Sequence, residues 1–249
     1  MRTLKLTLSY DGSRYAGWQA QPGQLTLQGV LEEALAKVTA QTVRVVASGR
    51  TDAGVHALGQ VVSFQVDSRL SAEVFQQALN AELPADVAVL AAADAPDGFH
   101  AIRDAVGKRY RYVIHDGPVR DVFRRQYVWH YRQRLDEQAM HRAAQPLVGR
   151  HDFRSFETAW PQRASSVRTV TEIAVERGRG GAADLVQCEV AADGFLYNMV
   201  RAIVGTLVEV GRGARDESWP GQVLAAGDRA AAGMTAPPQG LFLVQVDYP

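Results

Sequence analysis

The chain has 249 residues, of which 47% are hydrophobic and 22% charged, the balance of a folded globular protein and not of a disordered one. Lys plus Arg and Asp plus Glu each number 27, so the net charge is zero; this excludes a uniformly basic nucleic-acid coat and leaves local segregation of charge as the electrostatic route to RNA or DNA. A single cysteine, Cys188, excludes an internal disulfide and a thiolate metal cage and suits a reducing cytoplasm, and no apolar run approaches the roughly 20 residues of a membrane helix.

From the N-terminus, Leu4, Leu6, Leu8 and Tyr10 alternate with polar residues, which predicts a half-buried strand ended by turn chemistry at Asp11-Gly12-Ser13. Thr26 is placed to cap a helix carrying Val30, Leu31, Ala34, Leu35 and Val38 at helical spacing. Strands are expected at Val43 to Ala47, Val61 to Val66 and Val87 to Ala92, with a helix capped by Ser71 running to about Asn80. The second half opens with a strand from Lys108 to His115, with Tyr110, Tyr112 and Ile114 on one face and Arg109, Arg111 and Val113 on the other. A helix at Asp136 to Leu147 follows, then strands at Val167 to Glu176 and Leu185 to Ala191 joined across Gly178 to Gly181. Phe195 to Val210 reads as the most apolar helix, Trp219 to Ala226 as another, and Leu241 to Tyr248 as a closing strand. The order strand, helix, strands, helix, strand thus occurs twice. It predicts an α+β protein of two similar halves, 1–105 and 106–249, with helices packed on a largely antiparallel mixed sheet.

The six histidines show no metal-ligand spacing, and no Walker loop, dinucleotide-binding glycine triplet or nucleophile elbow is present. A zinc site is therefore not expected, and the commonest nucleotide and hydrolase readings fall away. Carboxylates, arginines and aromatics remain. The loop Ser48-Gly49-Arg50-Thr51-Asp52-Ala53-Gly54-Val55-His56 places Arg50, Asp52 and His56 around two glycines that allow tight turns. It reads either as a polar turn capped by Asp52 or as a catalytic loop. From Phe99 to Arg134 nine basic residues face three acidic ones, a surplus of six, interleaved with Phe99, Tyr110, Tyr112, Phe123, Tyr127, Trp129 and Tyr131. That mixture suits phosphate contact with base stacking, or a solvated arginine face. Arg201 is a lone charge within an apolar helix. It either reaches solvent or meets a carboxylate, for which Asp52 is a candidate.

The string Gly49 to His56 is specific. Together with Tyr10-Asp11-Gly12-Ser13, Tyr15 to Gln19, Phe99-His100-Ala101, Lys108 to Tyr112, His151-Asp152-Phe153, Met199-Val200-Arg201 and Gly240-Leu241, it makes essentially the whole chain resemble the bacterial tRNA pseudouridine synthase A family. One departure is 159–166, where Trp160-Pro161 stands in place of more polar residues. The resemblance implies the pseudouridine-synthase fold and a cytoplasmic, homodimeric isomerase without metal or cofactor. The implied reaction converts uridine to pseudouridine at positions 38, 39 and 40 of the tRNA anticodon stem-loop. Asp52 would be the catalytic carboxylate, paired with Arg201. Tyr110 would stack on the target uracil, Arg50 would fill the space the flipped base leaves, and Leu241 would be an apolar wall. RNA contacts are expected at Phe99, His100, Ala101, Ile102, Arg103, Arg109 and Arg111. The competing classes are a non-catalytic tRNA-binding protein or RNA chaperone, which needs no Asp52, and a hydrolase, which needs metal ligands or a triad.

Overall fold

A computed structural model of the chain describes residues 1–158 and 165–249, so the Trp160-Pro161 departure lies outside the described residues. In chain order the elements are β1 (Arg2–Tyr10), α1 (Leu27–Thr39), β2 (Val46–Ala47), β3 (His56–Val66), α2 (Ala72–Glu82), β4 (Val87–Asp94), β5 (Gly107–His115) and β6 (Trp129–His130). There follow α3 (Glu137–Ala144), β7 (Gly149–Asp152), β8 (Val167–Arg177), β9 (Leu185–Ala192), α4 (Met199–Gly211), α5 (Trp219–Ala226) and β10 (Leu241–Asp247). The chain divides into two compact units, Met1–Val106 with Phe242–Pro249, and Gly107–Leu241. The closing strand therefore belongs, from Phe242 onward, with the N-terminal unit.

In the first unit the strands run β4, β1, β3, β10, with β2 also on β3. The β1–β3 and β1–β4 pairs are antiparallel and the β3–β10 pair is parallel. Alternation along β1 sends Leu4, Leu6 and Leu8 into the core, as their spacing demands. Leu27, Leu31, Ala34 and Leu35 form one buried stripe of α1, and Phe75 and Leu79 the stripe of α2. Both helices start where the sequence places them, because Thr26 accepts from the Gly29 N–H and Ser71 from the Val74 N–H. The expected strand over Val43 to Ala47 is reduced to two residues. Its first part is held instead to α1, where Glu32 accepts from the Val45 N–H at 3.1 Å and pairs with Arg44 at 2.7 Å.

The second unit carries the antiparallel order β5, β9, β8, β7, with β6 parallel to β5. The two-faced reading of β5 holds: Tyr110, Tyr112 and Ile114 are buried and Arg109, Arg111 and Val113 are not. The expected helix from Phe195 begins only at Met199. Asn198 adopts a left-handed φ of 61°, which a continuous right-handed helix does not accommodate. Beyond that start α4 is buried almost throughout, at every position except Arg201 and Glu209.

A buried carboxylate ties this unit together. The Asp116 side chain has no solvent exposure, and Arg177 grips it in two parallel bonds of 3.0 and 2.9 Å. Arg134 Nη1 at 3.3 Å and the Leu135 N–H at 3.0 Å supply its remaining partners. Arg177 also donates to Glu137 at the start of α3 and to the Leu135 carbonyl, so β8, α3 and the end of β5 meet on one ion cluster. Among the described residues no helix is long and apolar enough to cross a membrane.

Candidate active site

Asp52 lies in the first unit, half-buried, in the turn that leads into β3. The loop around it is pinned from below by the segment following β1. The Trp18 N–H donates to the Thr51 carbonyl at 2.9 Å, and the Val55 N–H closes the turn on the Asp52 carbonyl at 3.1 Å. Gly54 supplies the left-handed φ of 78° that this closure requires. Gly12 lies flat beneath Val55, so close that an added Cβ would fall 2.0 Å from the Val55 carbonyl oxygen. Gly12→Ala must therefore displace the loop and is expected to cost about 1–3 kcal/mol in urea unfolding. An unchanged unfolding midpoint would contradict this packing.

Under the loop sits a buried polar network that sequence reading did not find. Ser48 Oγ donates to Gln60 Oε1 at 2.6 Å, and Gln60 Nε2 donates to the Gly49 carbonyl at 2.9 Å and toward the Tyr10 hydroxyl at 3.4 Å. Tyr10 in turn shares a 2.8 Å hydrogen bond with Thr51 Oγ1. Burial pushes the Tyr10 phenol up to about 12, so it remains protonated at neutral pH. His56 is buried. Its Nδ1 accepts from the Gly12 N–H at 3.1 Å and its ring stacks on Phe242 at 4.8 Å. Tyr10 was legible within the Tyr-Asp-Gly string. The single signal for Gln60 is a polar residue inside the apolar run of β3.

The expected RNA-contact segment Phe99 to Arg103 is a tight turn in the same unit. The Ile102 and Arg103 N–H groups donate to His100 Nδ1 at 3.2 and 3.3 Å, and the His100 N–H donates to Asp104 at 2.8 Å. Ala101 is fully buried. Its N–H donates to Ser63 Oγ and its carbonyl accepts from the Tyr248 hydroxyl at 2.7 Å, so its role in the turn is an anchor. Ile102, at 47% exposure, and Arg103 project to solvent, and Phe99 packs against Tyr248 with Lys5 over both rings. Arg50 is also exposed.

In the second unit, Tyr110 is 9% exposed and presents its ring edge-on to Phe195 at 5.0 Å. Arg201 is half-buried. Its Nε donates to the Ala236 carbonyl and its Nη1 to Asn198 Oδ1, both at 2.6 Å, so two neutral acceptors orient the guanidinium. The left-handed Asn198 that shortens α4 is thus also an Arg201 partner. Leu241, nearly buried, follows Gly240, which abuts the Tyr112 ring. The Tyr112 hydroxyl donates to the Pro237 carbonyl at 2.7 Å; burial pushes its phenol above the ordinary pKa while Arg201 pulls the other way.

Arg109 and Arg111 carry less free charge than the linear count suggests. Arg109 pairs with Glu172 at 2.8 Å and Glu189 at 3.3 Å, and Arg111 with Glu189 at 2.7 Å. These carboxylates come from β8 and β9, outside the window that was counted. Phe123, by contrast, stands 89% exposed between Arg120 and Arg124, on a turn that Asp121 holds by accepting from the Phe123 and Arg124 N–H groups. Cys188 is no candidate nucleophile, since burial pushes its thiol up to about 12.

The family profile described as tRNA pseudouridine synthase matches residues 7–103 and 143–249. A tRNA pseudouridine synthase A of Syntrophotalea carbinolica is 48% identical over all of this chain and 97% of its own length. One of Moorella thermoacetica is 48% identical over the full length of both. Among solved structures, a crystal structure of a Cbf5-Nop10-Gar1 complex aligns with 96% of this chain at 13% identity and a TM-score of 0.41; this chain spans 48%, about half, of that one.

Proposed function

The chain belongs to the tRNA pseudouridine synthase family, and on that premise we propose that it isomerises uridines 38, 39 and 40 of the tRNA anticodon stem-loop with Asp52 as its catalytic carboxylate. It is an isomerase of the pseudouridine synthase class. The reaction breaks the N1–C1′ bond, turns the uracil and forms a C5–C1′ bond; C5 loses a proton and N1 gains one, so no atoms are added or removed. A carboxylate suffices to hold the sugar or the base between the two steps, or to take a proton from C2′. Each route needs an ionised carboxylate in a fixed place. The observation that carries the reading is the Asp52 loop, pinned by backbone and buried side chains on both sides of the aspartate.

In this reading Arg201 is the counter-charge that keeps Asp52 ionised and oriented. Tyr110 stacks on the flipped uracil and its hydroxyl moves a proton late in the reaction, Leu241 closes the apolar side, and Arg50 takes the place of the extruded base. A cytoplasmic homodimer is the working form. The reading predicts that purified protein, given tRNA labelled with tritium at uracil C5, releases tritium to water with each turnover. A non-catalytic RNA-binding protein would bind the same tRNA and release none, and that result would overturn the proposal.

The two classes of arginine should separate in binding. Arg103→Glu removes an exposed cation and is expected to weaken all tRNA substrates alike, lowering the log–log salt slope by about 0.7–0.9 if it meets one phosphate. Arg109→Glu sets a third carboxylate beside Glu172 and Glu189, so its first effect should be a lowered melting temperature. Equal salt slopes for wild type and Arg103→Glu would remove Arg103 from the interface.

A further inference from the structure

We propose that Tyr10 and Gln60 are positioning residues for the isomerisation, holding Gly49 and Thr51 so that the Asp52 carboxylate stays in one place through both bond changes. The inference rests on Asp52 being the catalytic group.

Gln60 is fully buried in β3, yet every polar atom of its amide is used toward the loop or its support. Its orientation follows from its partners. Nε2 faces the Gly49 carbonyl, which only accepts, so the NH₂ end must lie there and Oε1 must take the Ser48 hydroxyl proton. The second Nε2 proton points to the Tyr10 hydroxyl, leaving that hydroxyl to bond Thr51 Oγ1. Gly49 and Thr51 flank Arg50 and immediately precede Asp52, so the side-chain bonds hold the approach to the aspartate. The Val55-to-Asp52 turn and the Gly12-to-His56 bond hold its exit.

An apolar β3 with Leu or Val at position 60 would pack as well without burying an amide, whose desolvation is unfavourable unless every bond is made. The complete satisfaction of Gln60 therefore points to a requirement for geometry at the loop. The network also reaches the turn that carries Ile102 and Arg103. The Tyr248 hydroxyl lies beside Ser48 and donates to the Ala101 carbonyl, while Ser63 of β3 accepts from the Ala101 N–H. Substrate held at that turn is thereby in mechanical contact with the loop that bears Asp52.

The test is steady-state kinetics of Tyr10→Phe, Thr51→Val and Thr51→Ser on full-length protein with tRNA. Tyr10→Phe and Thr51→Val each break the 2.8 Å bond without adding volume. Both should lower kcat about 10- to 100-fold with KM within about twofold of wild type, since small misplacements of a reacting group have effects of that size. Combining the two should be no worse than Tyr10→Phe alone, which also takes the acceptor from Gln60 Nε2, because both remove the Tyr10–Thr51 bond. Thr51→Ser, which keeps the hydroxyl, should turn over at least about tenfold faster than Thr51→Val. A merely structural role would instead lower the melting temperature and the active fraction, with kcat per folded molecule retained; that outcome, or wild-type kcat in Tyr10→Phe, overturns the inference. Asp52→Asn in the same assay separates the two claims. If it turns over, the catalytic assignment itself fails; if it is inactive while Tyr10→Phe is wild-type, the positioning inference alone fails.

Discussion

Asp52→Asn is expected to fold, to bind tRNA with near-native affinity and to lose about 10⁴-fold or more of kcat, the scale on which removal of a catalytic group is felt in enzymes that use covalent intermediates. The substitution keeps the size of the side chain and the backbone bonds of Thr51 and Val55, and it removes the charge alone. All three chemical routes open to the carboxylate require that charge, so the prediction does not depend on which is used. Binding should persist because Asp52 is one half-buried residue, whereas phosphate contacts are expected from exposed cations such as Arg103. On the proposed role of Arg201 as a supporting charge and not the reacting group, Arg201→Met should lose less, with the loss falling on kcat. Turnover of Asp52→Asn within tenfold of wild type would contradict the assignment.

The largest effect on stability is expected at Asp116, far in sequence from the reactive loop. Asp116→Ala takes from Arg177, whose side chain is 13% exposed, its two-bond partner and leaves Glu137 as its counter-charge, and it orphans the Leu135 N–H. Breaking one side of a buried pair costs about 3–5 kcal/mol, a large part of the 5–15 kcal/mol that holds a typical domain together. Urea unfolding should show a lowered midpoint. Asp116→Asn, whose one acceptor oxygen can still serve Arg177 Nη2 and the Leu135 N–H, should recover part of the loss. Equal midpoints for Asp116→Ala and wild type would show that the cluster adds nothing to folding.

Local pattern carried most of the fold. Alternation in β1 and β5, the caps Thr26 and Ser71 and the apolar stripe of α4 act over a few residues, and each appears where the spacing puts it. The misplacements have causes that hydrophobic periodicity does not carry. The start of α4 is set by the left-handed Asn198, which also holds Arg201, and β2 is shortened because Glu32 on α1 takes the Val45 N–H. The same holds for charge. The surplus between Phe99 and Arg134 is real in the linear chain, but Glu172 and Glu189 arrive from other strands to meet Arg109 and Arg111. The Asp52 loop was legible because its residues are contiguous in one distinctive string. The Tyr10–Gln60–Ser48 support was not, because it joins positions 12 to 50 apart through side chains that look ordinary in their own segments.

The proposal as a whole meets its most direct test in positional mapping. A uridine-containing tRNA is incubated with the purified protein, treated with carbodiimide and read by primer extension. The expected result is a set of stops marking pseudouridine at positions 38, 39 and 40, absent when Asp52→Asn replaces the wild type. Stops confined to other positions of the tRNA would contradict the anticodon stem-loop assignment, and stops formed by Asp52→Asn would contradict the role of its carboxylate.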